Sequence, residues 1–161
     1  MKQNLSGFTL TELIITLGIL TILTGLTSVN LLGFYAKNTL NTSIPTLISD
    51  LKHQQLKAMV GDTEGKTSHD AYGIYFQPDR YTLFQGPTYS ISGTVNFDIV
   101  LNSDLQFSNI ILPSSQIVFA SGSGEVVNYN QSFDYVTLKN VNTDETKTVR
   151  INQYGAVIDV Y

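Results

Sequence analysis

The strongest constraint on this chain lies near its start, where an uncharged run of 24 residues, 13–36, follows a short polar leader and one acidic residue, Glu12. Leucine and isoleucine dominate the run, from Leu13, Ile14 and Ile15 to Leu31 and Leu32. A helix needs about 20 mainly apolar residues to cross a hydrocarbon core, so the run is long enough for one crossing. A secretory signal peptide has a shorter apolar region that ends in a small-residue cleavage site. Here the small residue, Gly7, precedes the run. Cleavage after Gly7 would leave the hydrophobic helix on the mature chain, with Phe8 as its first residue.

Glu12 is the anomaly in this stretch. A carboxylate at the centre of a spanning helix costs about 2.5–3.5 kcal/mol on insertion scales, which makes an intramembrane acid a functional hypothesis by default. Phe8 and Glu12 are four residues apart, so in a helix that starts at Phe8 they share one face of the first turn. A freed Phe8 amine would then be a ready counter-charge. The positive end of the helix dipole favours an anion at the same place. The plainer alternative puts Glu12 in the headgroup region at the end of an ordinary anchor.

The order Gly7-Phe8-Thr9-Leu10-Thr11-Glu12, followed by an apolar helix, resembles the class III leader of type IV pilins and of the pseudopilins of type II secretion. The resemblance implies that prepilin peptidase cuts between Gly7 and Phe8 and methylates the Phe8 amine. It implies that Glu12 meets the Phe8 amine of a neighbouring subunit as helices stagger into a filament. The expected partners are the peptidase, other pilin or pseudopilin subunits, an inner-membrane assembly platform, and membrane lipid before assembly. The expected location is the inner membrane, crossed once with the C-terminal domain outside the cytoplasm, and then a pilus or pseudopilus. Lys2 and Lys37 flank the apolar run and give little positive-inside bias, so the orientation rests on the leader resemblance.

The 161 residues leave room for one ordinary domain beyond the anchor. Loss of residues 1–7 removes Lys2 and leaves eight basic against thirteen acidic residues, a net charge of −5. That mild acidity bears on solubility and argues against clinging to phosphate backbones through net charge. There is no cysteine, so disulfides and thiolate metal sites are excluded and packing with strand pairing must hold the fold.

Along the first helix Thr9, Thr11, Thr16, Thr21, Thr24 and Thr27 interleave with the aliphatic residues. Their hydroxyls can bond back to the preceding turn or across to another helix. Gly18 and Gly25 lie seven apart on one face, which suits close helix packing in a filament or a soft point where the helix stretches. Asn30 and Gly33 mark the exit from the apolar layer. Over residues 37–60, Leu40, Ile44, Leu47, Ile48, Leu51, Ala58 and Met59 recur at three- and four-residue steps. Asp50, Lys52, His53, Gln54 and Lys57 fill the rest. This is an amphipathic continuation of the same helix, which Pro45 should bend. Residues 8–60 would measure about 80 Å if wholly helical.

The remainder reads as strand. Residues 72–76 and 81–85 flank Gln77-Pro78-Asp79-Arg80, a hairpin with a proline-initiated turn. Further strands are expected at 95–101, 117–120, 125–129, 133–138, 147–152 and 156–161, with turns at 121–124 and 153–155. The reading is an α+β protein of type IV pilin-like fold, in which a long N-terminal α-helix packs on an antiparallel β-sheet domain. Its parts are a cleaved leader at 1–7, a transmembrane and assembly helix at 8–36, an amphipathic continuation at 37–60 and the β domain at 61–161. Four features resemble the minor pseudopilin H and FimT-type branch: the helix end at 51–59, the hairpin at 72–84, Leu112-Pro113 before Ile117-Val118-Phe119, and Val149-Arg150-Ile151 before Gly155. The chain departs from that branch where an alanine-arginine pair is common, having Gln55-Leu56-Lys57-Ala58 instead.

No catalytic constellation is legible, and the chain is read as a structural subunit that is not an enzyme. His53 sits among polar neighbours on the helix, as on a solvated face, His69 lies in a loop, and a Ser-His-Asp constellation would need one of them poised in a pocket. Asp62, Glu64 and Asp70 do not match an EF-hand, and no cofactor or metal is expected. The competing function is DNA capture for uptake by a FimT-like minor pilin. Lys139, Lys147 and Arg150 would be the contacts and tyrosines the stacking surfaces.

Overall fold

The computed structural model describes residues 7–63, 65 and 69–161, and of residues 27–38 the backbone alone. The chain forms two compact units, Met1–Tyr35 and Ala36–Tyr161. One helix, α1 (Leu10–Val60), contributes its first part to the first unit and the rest to the second. Described side chains of the first unit are all exposed, including Ile14, Leu17, Leu20 and Leu23. Among the described residues no helix is long and apolar enough to cross a membrane. Of the 24 residues expected to span, only 13–26 have described side chains, 14 positions against the about 20 that a crossing needs. Thr27, Asn30, Gly33 and Lys37 lie outside those described side chains, as do Lys2 and Glu64 outside the described residues.

The second unit is built on one stripe of α1. Leu40, Ile44, Leu47, Leu51 and Ala58 are each 5% exposed or less. Their alternating steps of four and three residues keep them on one side of a 3.6-residue helix. Gln54 completes the spacing and is buried with them, although its polarity places it on the wet face in a reading by residue type. Met59 stands half-exposed at the stripe's end. Pro45 lies within α1, which continues through it as one element, and its ring is exposed. The N–H that proline lacks is therefore lost from the solvent side rather than from the buried stripe.

Eight strands follow: β1 (Tyr72–Gln77), β2 (Arg80–Gln85), β3 (Phe97–Val100), β4 (Leu105–Ile111), β5 (Gln116–Phe119), β6 (Tyr135–Asn140), β7 (Thr146–Ile151) and β8 (Val157–Val160). They form two four-stranded antiparallel sheets, ordered β3-β2-β1-β5 and β4-β6-β7-β8. The expected hairpin is present, with Gln77 opposite Arg80 across Pro78-Asp79. Division into two sheets was not legible in the sequence, and β4 is the reason. Leu105 and Phe107 are buried on its inner side, but the register shifts between Phe107 and Asn109, and this bulge breaks the two-residue alternation that announces a strand. Phe107 joins the sheets, its ring 5.2 Å from Phe76 and 6.3 Å from Tyr81, edge-on to both.

Residues 125–129, expected as a strand, make only one bridge, Val126 to Phe119. The Val126 N–H turns instead to the Gln153 carbonyl, and Asn128 at φ 54° ends the extension. This segment and the 153–155 turn are held to the helix by Gln55, whose Nε2 donates to the carbonyls of Gly124 (3.0 Å) and Tyr154 (2.6 Å). The Gly122 N–H donates to the Ala58 carbonyl at 2.9 Å, satisfying a helix-end acceptor. Gly155 has φ 73°, and a Cβ there would come within 2.6 Å of Gln55 Nε2, so the turn can approach the helix only as glycine.

Two outcomes follow from this packing. Gln55→Ala removes two hydrogen bonds, one part-buried and one exposed, and should cost about 1 kcal/mol, read as a lower urea midpoint. Tyr81 donates to Asp50 Oδ2 at 2.6 Å, and burial, then that bond, push its hydroxyl well above the usual 10.0. The folded state therefore holds this proton where the unfolded chain releases it. The stabilisation is fully present below about pH 10 and is lost as pH rises beyond it. Urea midpoints between about pH 8 and pH 12 should fall steeply for the native chain and less steeply for Tyr81→Phe.

Candidate processing and assembly site

Gly7, Phe8 and Thr9 precede α1 outside any helix or strand, and Phe8 is 88% exposed. Thr9 caps the helix. Its Oγ1 accepts from the Glu12 N–H at 3.3 Å and donates to Glu12 Oε2 at 2.8 Å, while the Thr9 N–H donates to the same carboxylate oxygen at 2.9 Å. This is a capping box, in which two backbone donors at the helix start are satisfied reciprocally. With the leader still attached, the first turn begins at Leu10 and the group that holds the Glu12 carboxylate is Thr9. The signal was in the sequence, since Thr9-Leu10-Thr11-Glu12 has the threonine-to-glutamate spacing of such a box.

The interior threonines bond to their own helix. Thr16 Oγ1 donates to the Leu13 carbonyl, Thr21 Oγ1 to Leu17 and Thr24 Oγ1 to Leu20, at 2.7–2.9 Å. A Cβ added at Gly7, Gly18 or Gly25 would meet nothing within 4 Å. Contacts among the described residues of this chain therefore do not account for glycine at any of the three.

The basic residues of the competing reading are not brought together. Register places Lys147 opposite Leu138, on the core-facing side of the second sheet, while Lys139 and Arg150 stand on the other side. Lys139 Nζ pairs with Asp144 at 2.6 Å and holds that carboxyl below the usual carboxylate range. Arg150 Nε donates at 2.8 Å to Asp134, a carboxylate buried to 1% side-chain exposure, and its guanidinium lies 5.9 Å from the Tyr135 ring centre. The Asp134 bond also raises the Arg150 pKa above its usual value. Two of the three cations are thus already neutralised by carboxylates. Of the tyrosines, Tyr72 and Tyr81 are buried and Tyr75 stacks on Tyr89 at 4.1 Å, while Tyr154 and Tyr161 are exposed. His53 and His69 are both exposed, and among the described residues no three histidine or acidic side chains gather to hold a metal ion.

With this geometry in place, the decisive likeness is local. The prokaryotic N-terminal methylation motif matches residues 2–28. The match covers the leader, the Gly7-Phe8 junction, the capping box and both glycines. It supports a type IV pilin-like protein whose leader is cut by prepilin peptidase and which assembles with other pilins. No curated protein and no solved structure matches the chain.

Proposed function

We propose that this chain is a non-enzymatic minor pilin or pseudopilin, a structural subunit of a type IV pilus or a type II secretion pseudopilus. The observation that carries the reading is the methylation motif at residues 2–28, lying on the first part of α1, whose described apolar side chains find no cover within their own unit. Residues 13–36 hold this helix in the inner membrane after synthesis, with the β domain outside the cytoplasm. Prepilin peptidase cuts at the exposed Gly7-Phe8 junction and methylates the new Phe8 amine. The helix then leaves lipid for a bundle of like helices, where its apolar surface is covered by neighbours.

Glu12 has two partners in this sequence of events. In the separate subunit the Thr9 cap holds it, as in the structure. In the bundle, the amine of a neighbour's Phe8 supplies a full opposite charge to a carboxylate that lipid or packed helices would otherwise leave costly. Gly18 and Gly25, where an added Cβ would meet nothing within 4 Å among the described residues, give neighbouring helices places to approach closely.

Gly7→Val should block cleavage, so that intact-mass measurement finds the leader still attached. Normal mature protein from that variant would count against the reading. Glu12→Gln should be cleaved at the normal site yet be missing from sheared filaments. Its recovery there at native levels would remove the amine-pairing step while leaving the cleavage step standing.

A further inference from the structure

β3 is an open edge of the first sheet, and it lacks the devices that usually guard an edge. Phe97-Asp98-Ile99-Val100 contains neither proline nor lysine, and its register with β2 has no bulge. Its one charge, Asp98, is tied back to Thr82 Oγ1 at 2.6 Å. Phe97 and Val100 are each 64% exposed. Such an edge is a template for pairing with another chain. The Leu101 N–H donates to the Asp79 carbonyl at 2.9 Å, on the β2 side. Main-chain groups alternate in direction along a strand, so those of Phe97 and Ile99 also turn to β2, and those of Asp98 and Val100 point from the open edge. Among the described residues nothing bonds to these outward groups.

The space beside this edge suits an extended segment. Two cavities within the second unit, of about 540 Å³ and 220 Å³, lie between α1 and β3 and share Ile99. Phe97 lines the larger with His53 and Lys57, and Leu101 lines the smaller with Thr42 and Thr46. β3 therefore runs opposite to α1 along one groove. From Thr42 to Lys57 the helix measures about 22 Å, the length of about six or seven strand residues. We propose that this groove binds an extended segment of a different protein, which adds to β3 as an antiparallel strand. All eight strands of this chain already lie in its own sheets, which disfavours a second copy as the donor. Antiparallel addition carries the segment from Thr42 towards Lys57. Its apolar side continues the floor made by Phe97 and Ile99, and its other side meets solvent beside Asp98 and Val100. Charge sets its far end. Asp50, midway along the wall, accepts from Tyr81 at 2.6 Å, whereas His53 and Lys57 stand together at the Phe97 end. The segment therefore carries an acidic side chain near its C-terminal end, while the β3 main chain supplies affinity and the groove supplies choice. The proposal is independent of the pilin reading, since it uses none of the residues of the N-terminal unit.

The test uses the full chain in detergent micelles, with hydrogen exchange at backbone amides followed by NMR during titration with the peptide acetyl-Thr-Val-Thr-Val-Thr-Glu-Thr-amide. Its two valines and its glutamate share one face of a strand. Saturable binding is expected, with exchange at Asp98 and Val100 slowed about tenfold or more and that at Phe97 and Ile99 changed less. Val100→Pro removes an outward N–H and spares the β2 ladder, so it should weaken binding about fivefold while the melting temperature holds. His53→Glu, which serves if the first variant misfolds, should weaken this peptide about fivefold and strengthen the same peptide with lysine in place of glutamate. Absence of saturation, protection at the β8 edge instead, or unaltered affinity in both variants would overturn the proposal. So would protection of Asp98 and Val100 that grows with protein concentration before any peptide is added, which would assign the edge to a second copy.

Discussion

Burial of one stripe of α1 is the interaction on which the second unit depends. Leu40, Ile44, Leu47, Leu51 and Ala58 belong to one hydrophobic cluster with Ile74 and Phe76 of the first sheet and Val136, Leu138 and Val149 of the second. In a chain without cysteine, that shared cluster is what keeps two separate sheets in one unit. The Phe76-Phe107-Tyr81 contact closes the seam between them, and the bulge in β4 belongs to the strand that carries Phe107. Covering both sheets from one stripe leaves each strand with an inner apolar side, as antiparallel sheets with one wet face require.

The C-terminal end of the stripe shows how polar groups are fitted to such packing. Gln55 is the anchor for two turns that would otherwise present bare carbonyls to the helix. Its neighbour Gln54 is buried without a donor for its oxygen. Adjacent residues of one type thus have opposite hydrogen-bond outcomes, set by which side of α1 each occupies. That contrast is why one is structural and the other lines a cavity.

The first unit follows a different logic. Its order is local: a threonine cap, a glutamate three residues on, and side-chain hydroxyls bonded one turn back. Its described apolar side chains are exposed, so the cover they need comes from something other than their own unit. In the proposed function lipid and then neighbouring helices supply it. In that same proposal, removing residues 1–7 places a new charge immediately before the capping box and turns a local helix cap into one side of a contact between subunits.

The sequence by itself determined the elements whose signals are local. The Gly7-Phe8 junction with its following apolar run, the stripe from Leu40 to Ala58, and the 72–85 hairpin were legible because residue spacing alone carries them. The threonine-glutamate box at Thr9 and Glu12 is equally local. Tertiary structure alone decided the rest. A bulge hid β4, a left-handed Asn128 stopped the expected strand at 125–129, and strand register put Lys147 on the opposite side of the sheet from Lys139 and Arg150. Gln54 went inside for the same reason: a helix buries whatever its periodicity turns inward, and the partner that a buried polar group finds depends on chain segments remote in sequence.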